Sequence, residues 1–389
     1  MSVYPIRPLG EIVENLDAQR RPVKSSERRP GPYPYFGAQG IVDHVDGFLF
    51  DGEFVLVAED GENLRSRNQP IALMARGRFW VNNHAHILRG TWSANTRFLF
   101  YALNHADISG YVTGSTIPKL SQGNLNRILV PCPSIDEQRA IVAILGALDD
   151  KIDLNRRMNQ TLEAMARAIF QDWFVTFGPT RAKQEGRPPY LAPDLWSLFP
   201  NRLDDDGKPA GWQVRKVVDV LDLAYGKALP SPDRTPGPIP VYGSGGITGH
   251  HDTALVDGPG VIVGRKGTVG SLYWEDHPFY PIDTVFYVVP RTSMAFCFYL
   301  LRTLGLEGMN TDAAVPGLNR NNVYRLPVPW APEEVRQVFD SVVMPLRAKI
   351  SANDAEARTL AATRDLLLPK LMSGELRVKE AERLAEAAL

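Results

Sequence analysis

The chain is poor in cysteine, with two in 389 residues, Cys132 and Cys297. So few exclude a disulfide framework and a cysteine-built structural zinc site, and they fit a reducing cytoplasm. Charge of one sign is also missing. Lys and Arg number 43 against 44 Asp and Glu, a net charge of −1. There is no global basic field, so any nucleic-acid contact must rest on local clusters. Long hydrophobic runs are absent too. Stretches such as Ile141–Leu148 fall far short of the roughly 20 residues of a membrane helix. No basic-plus-apolar leader precedes a small-residue cleavage site. A cytoplasmic protein without membrane association is expected. The seven histidines show no metal-ligand spacing. Asn83-His84-Ala85-His86 offers two imidazoles but no third ligand, so both are expected to be packed or solvated. Gly-x-Ser-x-Gly is absent, and no clean paired-carboxylate pattern occurs.

What the chain does have is a copy of itself. Ser115-Thr116-Ile117-Pro118-Lys119-Leu120 is echoed 198 positions on by Ala313-Ala314-Val315-Pro316-Gly317-Leu318, and Ile128–Pro131 by Leu326–Pro329. At an offset of 206, Tyr35-Phe36-Gly37 matches Val241-Tyr242-Gly243, and Val55-Leu56-Val57 matches Val261-Ile262-Val263. A period this long marks a duplicated domain; solenoid repeats run to some 20–50 residues. Each copy opens with short β-rich runs punctuated by Gly and Pro, such as Glu53–Ala58, Gly260–Val263 and Thr284–Val289. Helical segments near Ser93–Ala106 and Ser293–Leu304 follow.

Each copy closes with a long helical pattern. Ile141, Leu145, Leu148, Ile152, Asn155, Asn159, Leu162, Ala166, Ile169 and Trp173 keep a 4-3 spacing. Phe339, Val343, Leu346, Ile350, Asn353, Ala357, Leu360, Arg364, Leu367 and Leu371 repeat it. Such a seam requires a partner, and the second copy supplies one, paired antiparallel. Acidic turns at Asp136-Glu137 and Glu333-Glu334 suit helix N-termini. Asn155 and Asn353, at matching seam positions, either fix register or tilt outward to water. Pro345 is expected to kink the second helix or delay its start. The tail from Lys379 reads as a fraying end. The fold expected is α+β: two similar α/β domains separated by two long helices in an antiparallel, pseudo-twofold coiled coil. The segments are 1–134, a helix over 135–178, a Pro-rich linker over 179–211, then 212–331, and a helix with its tail over 332–389.

Several strings invite chemical readings. Arg187-Pro188-Pro189-Tyr190 resembles the Asn/Asp/Ser-Pro-Pro-Tyr motif of amino-directed DNA methyltransferases, but arginine has no acceptor for the target amino group. Gly264-Arg265-Lys266-Gly267-Thr268-Val269-Gly270 lacks the Walker spacing, and Gly243-Ser244-Gly245-Gly246 lacks the dinucleotide spacing. Both read first as tight turns. Yet Arg265, Lys266 and Thr268 sit beside glycines that permit close approach to a DNA backbone or base edge. Arg76 and Arg78 flank Gly77 in a turn. Arg20, Arg21, Lys24, Arg28 and Arg29 lie near Tyr33, Tyr35 and Phe36, a basic–aromatic mixture compatible with nucleic acid. Ser121 and Asn319 read as helix N-caps. With Lys119 or Arg320 beside them, each could hold a phosphate. Arg76, Arg78, Lys119, Arg265, Lys266, Thr268 and Arg320 are the candidate DNA contacts.

In this order of parts the chain resembles the specificity subunit of type I restriction–modification enzymes. Pro131-Cys132-Pro133 with Glu137-Gln138-Arg139-Ala140-Ile141, the run Ile169–Phe177, and Leu366–Leu376 carry the likeness. Val335-Arg336 departs from the Glu-Gln pair at the second helix. The resemblance implies two target-recognition domains, each reading one half of a bipartite site in double-stranded DNA. It implies helices that set the spacing and dock two methyltransferase subunits, with restriction–translocase subunits completing the complex. S-adenosylmethionine then belongs to the methyltransferase partners, which flip the adenine, and this chain holds no cofactor and no catalytic residue. The competing readings are a self-sufficient DNA methyltransferase or nuclease, which would bind S-adenosylmethionine itself, and a coiled-coil adaptor without a nucleic-acid role.

Overall fold

A computed structural model describes residues 3–310 and 317–389; Ala313–Pro316 of the echoed string lie outside the described residues. The chain forms two units. The first comprises Met1–Asn155 with Ala355–Leu389, the second Arg156–Asp354.

In the first unit, strands β1 (Ile6–Pro8) and β8 (Leu129–Pro131) pair antiparallel. Strands β2 (Val13–Asn15), β3 (Pro30–Gly37), β4 (Gly40–Val45), β5 (Phe50–Ala58), β6 (Ala72–Val81) and β7 (Ala85–Gly90) form one sheet in the order β2-β7-β5-β6-β3-β4. The unbroken apolar run of β5 is what a strand covered on both faces requires. Val55 and Val57 join the core that holds Phe98 and Leu99, while Phe54 and Leu56 join an aromatic core with Phe50 and Phe79 on the other face.

The second unit repeats this plan. Strands β9 (Gln213–Lys216) and β17 (Pro327–Trp330) pair as β1 and β8 do. β10 (Leu221–Tyr225), β13 (Gly260–Gly264), β14 (Leu272–Glu275) and β16 (Val285–Pro290) form a sheet ordered β10-β16-β13-β14. β11 (Ile239–Gly243), β12 (Gly246–His251) and β15 (Tyr280–Pro281) form another ordered β12-β11-β15. The single difference in plan lies in β6, which pairs antiparallel with β5 and parallel with β3. Its counterpart is interrupted at Asp276–Phe279, where Pro278 cannot donate to a ladder, so one sheet becomes two. The parallel pairing survives, with Val241 opposite Tyr280 as Tyr35 is opposite Trp80.

The long helices run over Ile135–Phe170 and Glu333–Ser373. Ser134 and Glu137 form a capping box, the Ser134 hydroxyl 3.0 Å from the Glu137 carboxylate and accepting from the Glu137 N–H at 3.4 Å. Pro345 does not delay the second helix. It sits exposed inside an unbroken 41-residue run, where its missing N–H leaves only a solvent-side carbonyl unpaired. Within each unit the two helices are antiparallel. In the first, Asp149 meets Arg364 at 2.8 Å and Lys151 meets Glu356 at 3.3 Å. In the second, Asn159 donates to Asp354 at 2.7 Å and Glu163 accepts from Arg347 at 3.1 Å.

The seam holds as expected at Ile152, Asn155, Ala166 and Trp173, and the buried face shifts only around Ile169. Phe170 is buried where Ile169 was expected, and Gln171–Val175 form a π-turn. A straight α-helix drifts about 20° per heptad from a 3.5-residue repeat, and here the drifting face meets a globular core. Phe170 packs on Phe296 and Phe339, each with ring centroids 5.4 Å away. Asn155 and Asn353 point inward, 2% and 0% exposed. Asn155 donates to Glu356 at 2.8 Å, and Asn353 donates to Asn159 at 2.8 Å.

Gln138 and Arg336, which differ in sequence at matching positions, do the same work. Gln138 braces the turn before helix Thr96–His105, donating to Ser93 O at 3.0 Å and accepting from Asn95 N at 2.8 Å. Arg336 donates to Thr292 Oγ1 at 2.7 Å before helix Met294–Thr303 and stacks on Trp330. The tail does not fray. Val378–Glu386 is a helix whose Ala381 and Ala385 are buried in the first unit's core. The Pro-rich stretch carries helices Gly178–Gln184 and Pro193–Ser197, and Pro179, Thr180, Ala182 and Phe199 in it are buried.

Candidate nucleic-acid interface

Corresponding backbone bonds align the two units atom for atom. Leu120 N–H donates to Glu59 O at 2.8 Å, and Leu318 N–H donates to Arg265 O at 2.8 Å. Glu59 N–H donates to His84 O at 2.9 Å, and Arg265 N–H donates to Thr284 O at 3.0 Å. Asn15 faces Leu88 as Leu223 faces Val288. Glu59 therefore corresponds to Arg265, His86 to Phe286, and Asp17 to Tyr225. The same frame carries opposite chemistry in its two copies.

In the second unit the frame is cationic and aromatic. Gly264–Gly270 is a closed turn, as expected: Gly270 N–H donates to Gly264 O at 2.9 Å. A Cβ on Gly264 would lie 2.1 Å from Thr268 O, so only glycine fits there. The turn delivers Arg265 over the Tyr225 ring at 5.0 Å, with Nη1 donating to Asp283 O at 2.8 Å. Arg320 approaches the same ring at 4.7 Å and donates to Leu223 O at 3.2 Å. These two arginines, Lys266 and Tyr225 line a cavity of about 360 Å³ together with Gly317, Leu318 and Asn319. Among the described residues, no carboxylate lies within ion-pair distance of Arg265, Lys266 or Arg320. The nearby Asp222 is engaged instead, accepting from Leu223 N at 2.8 Å and from the Tyr324 hydroxyl. Burial first, and then Asp222, push the Tyr324 hydroxyl up from its ordinary value. Three of the candidate contacts thus converge. Thr268 remains behind the turn, its N–H donating to Ser244 Oγ at 3.4 Å and its carbonyl accepting from Ser271.

In the first unit the same frame is neutralised internally. His86, 1% exposed, meets Asp17 through Nδ1 at 2.5 Å and Leu120 O through Nε2 at 2.7 Å. Arg20 pairs with Glu59 at 2.8 Å and with Asp17 at 3.3 Å, and Lys119 lies 3.4 Å from Glu59. Burial alone would raise the Asp17 carboxyl, but His86, the Ile87 N–H and Arg20 outweigh it and hold that carboxyl below its ordinary range. Glu59 is held low in the same way by Arg20, His86 and Lys119 against the effect of burial. Arg76 and Arg78 stand apart, not in a turn as expected but within strand β6, 3.0 Å from Glu53 and 3.1 Å from Asp51 on the neighbouring β5. Lys119, Arg76 and Arg78 are exposed but each faces a carboxylate, so they do not form one site.

The basic loop before β3 divides by role. Arg28 Nε donates to Val23 O at 3.1 Å, and Arg234 repeats this with Leu229 O at 3.2 Å, so both arginines close a loop. Arg21, Lys24 and Arg29 are exposed, with no carboxylate partner among the described residues. They are free cations of the first unit beside Tyr33 and Tyr35, and unlike Lys119 they face no carboxylate. Tyr225 was missed; nothing at Ala224-Tyr225-Gly226 signals that residues 40 and 95 positions later arrive beside it. Ser121 and Asn319 are N-caps as expected, accepting from Asn124 N and Asn321 N. Their helices have only six and five residues, so any phosphate contact there must come from side chains. His84 meets Asp60 at 2.7 Å. Tyr190 of the Pro-Pro-Tyr string donates to Asp172 at 2.8 Å and packs edge-on against Trp196, a structural use of the motif. Among the described residues, no helix is long and apolar enough to cross a membrane.

A duplicated α/β module, each copy packed with its own antiparallel stretch of the long helices and built on one frame lined two ways, defines the class of protein. The model of the type I restriction modification DNA specificity domain matches residues 1–164 and 209–337, and the chain belongs to that family. The MjaIX type I restriction enzyme specificity subunit of Methanocaldococcus jannaschii is 26% identical over 315 residues, covering 73% of this chain and 70% of the relative. A Haemophilus influenzae protein provisionally named as a type I restriction enzyme specificity subunit is 41% identical over 142 residues, about a third (36%) of either chain. In fold, the chain is similar to the crystal structure of a type I restriction–modification S subunit from M. genitalium. The TM-score is 0.60 at 17% identity, over 95% of this chain and 96% of that one.

Proposed function

We propose that this chain is the DNA sequence-recognition subunit of a type I restriction–modification complex, each unit reading one half of a bipartite target in double-stranded DNA. The observation that carries this is the repeated frame with divergent linings: two surfaces built alike but lined differently suit two unlike half-sites. The paired long helices set the distance between half-sites, as dimer geometry does in other two-part readers. They dock two methyltransferase subunits, and restriction–translocase subunits complete the assembly in the cytoplasm. S-adenosylmethionine binds in the methyltransferase partners, so this chain is not itself a catalyst. The structural role of Tyr190 supports that last point over a self-sufficient methyltransferase.

The test is to map methylated adenines in DNA exposed to the chain assembled with its methyltransferase partners. A bipartite pattern is expected, and Arg265→Ala changes base preference or occupancy at one half only. Methylation without sequence preference, or equal loss at both halves, overturns the reading.

A further inference from the structure

Arg265 and Arg320 lie within 5.0 Å and 4.7 Å of one ring centre, so the two guanidinium groups sit less than about 10 Å apart. That is within a Debye length at moderate salt, so each feels the other's repulsion. Lys266 adds a third cation on the same cavity, and no carboxylate among the described residues neutralises any of them. Ion-pairing side chains are available elsewhere in the unit; here the arginines spend their bonds on backbone carbonyls and on an aromatic face. Those bonds fix the guanidinium planes before any ligand arrives, which lowers the entropy lost on binding. The corresponding frame of the first unit is filled by Asp17, Glu59, His86, Arg20 and Lys119, which satisfy one another.

Resting on the proposed function, we infer that the Arg265–Tyr225–Arg320 cavity with Lys266 is a DNA backbone phosphate site of the second unit alone. The corresponding frame of the first unit is no such site. The two units then grip DNA by unequal means. The second contributes counterion release through this cavity, whereas a contact by Lys119 must first give up its pairing with Glu59. Phosphate contacts carry affinity and register without carrying sequence.

The experiment titrates the full chain with a fluorescent duplex of mixed sequence at several salt concentrations. Lys266→Ala is the cleanest variant, because that side chain makes no bond among the described residues that its removal would break. Each lost phosphate contact lowers the salt slope by about 0.9. Lys266→Ala is expected to lower it by roughly one such step on every duplex sequence, with a smaller change for Lys119→Ala. Arg265→Lys with Arg320→Lys keeps the charges and guards against misfolding. It is expected to retain the slope better than Arg265→Ala with Arg320→Ala. A wild-type slope in Lys266→Ala and in the double alanine variant overturns the phosphate site, as does a loss confined to one duplex sequence, which marks base reading. A Lys119→Ala change as large as that of Lys266→Ala overturns the inequality. Absence of any DNA binding by the wild-type chain assembled with its methyltransferase partners sinks the proposed function itself, a distinct result.

Discussion

Glu163 and Arg347 join the two long helices inside the second unit, and removing one of them should cost more than removing both. The Glu163 carboxylate accepts from Arg347 Nη1 at 3.1 Å and from the Tyr299 hydroxyl at 3.0 Å. Arg302 lies 3.4 Å from its other oxygen. The Arg347 side chain is 9% exposed and that of Glu163 is 23% exposed, and the guanidinium lies 4.6 Å over Trp274. Leaving one charge of a buried pair uncompensated costs about 3–5 kcal/mol. The aromatic face offsets up to about 2 kcal/mol of this for the cation. Glu163→Gln should therefore destabilise the unit by about 2–3 kcal/mol, a factor of roughly 30–150. The pair is imperfect, since Arg347 Nε and Glu163 Oε1 lack hydrogen-bond partners. A Glu163→Leu, Arg347→Leu, Tyr299→Phe triple variant, which removes both charges of the pair and the Tyr299 hydroxyl and leaves only the partly exposed Arg302 to turn to solvent, should lie within about 1 kcal/mol of wild type or above it. Urea unfolding followed by tryptophan fluorescence measures this. Trp173, Trp196, Trp212, Trp274 and Trp330 report the second unit; only Trp80 and Trp92 lie in the first. A loss below about 0.5 kcal/mol for Glu163→Gln, with no coupling to Arg347, would show the pair to be an ordinary solvated bridge.

The first unit should be acid-labile through Asp17 and Glu59. Both carboxyls are held below their unfolded values, so their contribution is present above those values and lost as pH falls through the lower folded ones. Asp17→Asn should lower stability at neutral pH and flatten the acid limb of an unfolding titration read at Trp80, and an unchanged limb contradicts this. In the helix pair, Asn353 Oδ1 is buried without a partner. Asn353→Leu with Asn159→Leu should raise the unfolding midpoint, because an unsatisfied buried polar atom costs about 1–3 kcal/mol. The same variant should broaden the half-site spacings methylated by the assembled complex, because polar seam residues fix register. A more stable variant with unchanged spacing specificity dismisses the register role.

Backbone-level features were legible in the sequence because they follow from periodicity and local chemistry. The duplication, the antiparallel helices, the N-caps at Ser121 and Asn319 and the turn at Gly264–Gly270 all belong to this class. Two misreadings came from treating residues as if alone. Pro345 looked disruptive, yet a solvent-facing proline in a long packed helix removes one bond while the buried face holds the rest. The alanines of the tail looked like fraying, yet Ala381 and Ala385 are small enough to close the first unit's core. The candidate site was half legible. Arg265, Lys266 and Arg320 could be named, but their meeting at Tyr225 is set by strand pairing across the sheet, which no local pattern encodes. The ion pairing of Arg76, Arg78 and Lys119 was hidden likewise. Glu53 and Asp51 reach the arginines across the β5–β6 hairpin, and Glu59 reaches Lys119 only once the chain has folded back.

The pairing of Glu59 with Arg265 explains how one module can serve two readings. In both copies this residue is held by its backbone: its carbonyl accepts from Leu120 or Leu318, and its N–H is donated to His84 O or Thr284 O. None of those four bonds involves its side chain, so the frame does not constrain the charge carried there. A swap from acid to base would be costly in a core, where an unpaired charge must be neutralised. Here neighbouring frame positions differ with it, Asp17 against Tyr225, His86 against Phe286 and Lys119 against Gly317, so that each lining is consistent within itself. The first lining closes on itself through ion pairs, and the second stays open and cationic. Divergence of this kind leaves the sheet order and the helix seams untouched, which is how the two halves share a fold while presenting DNA with unlike surfaces.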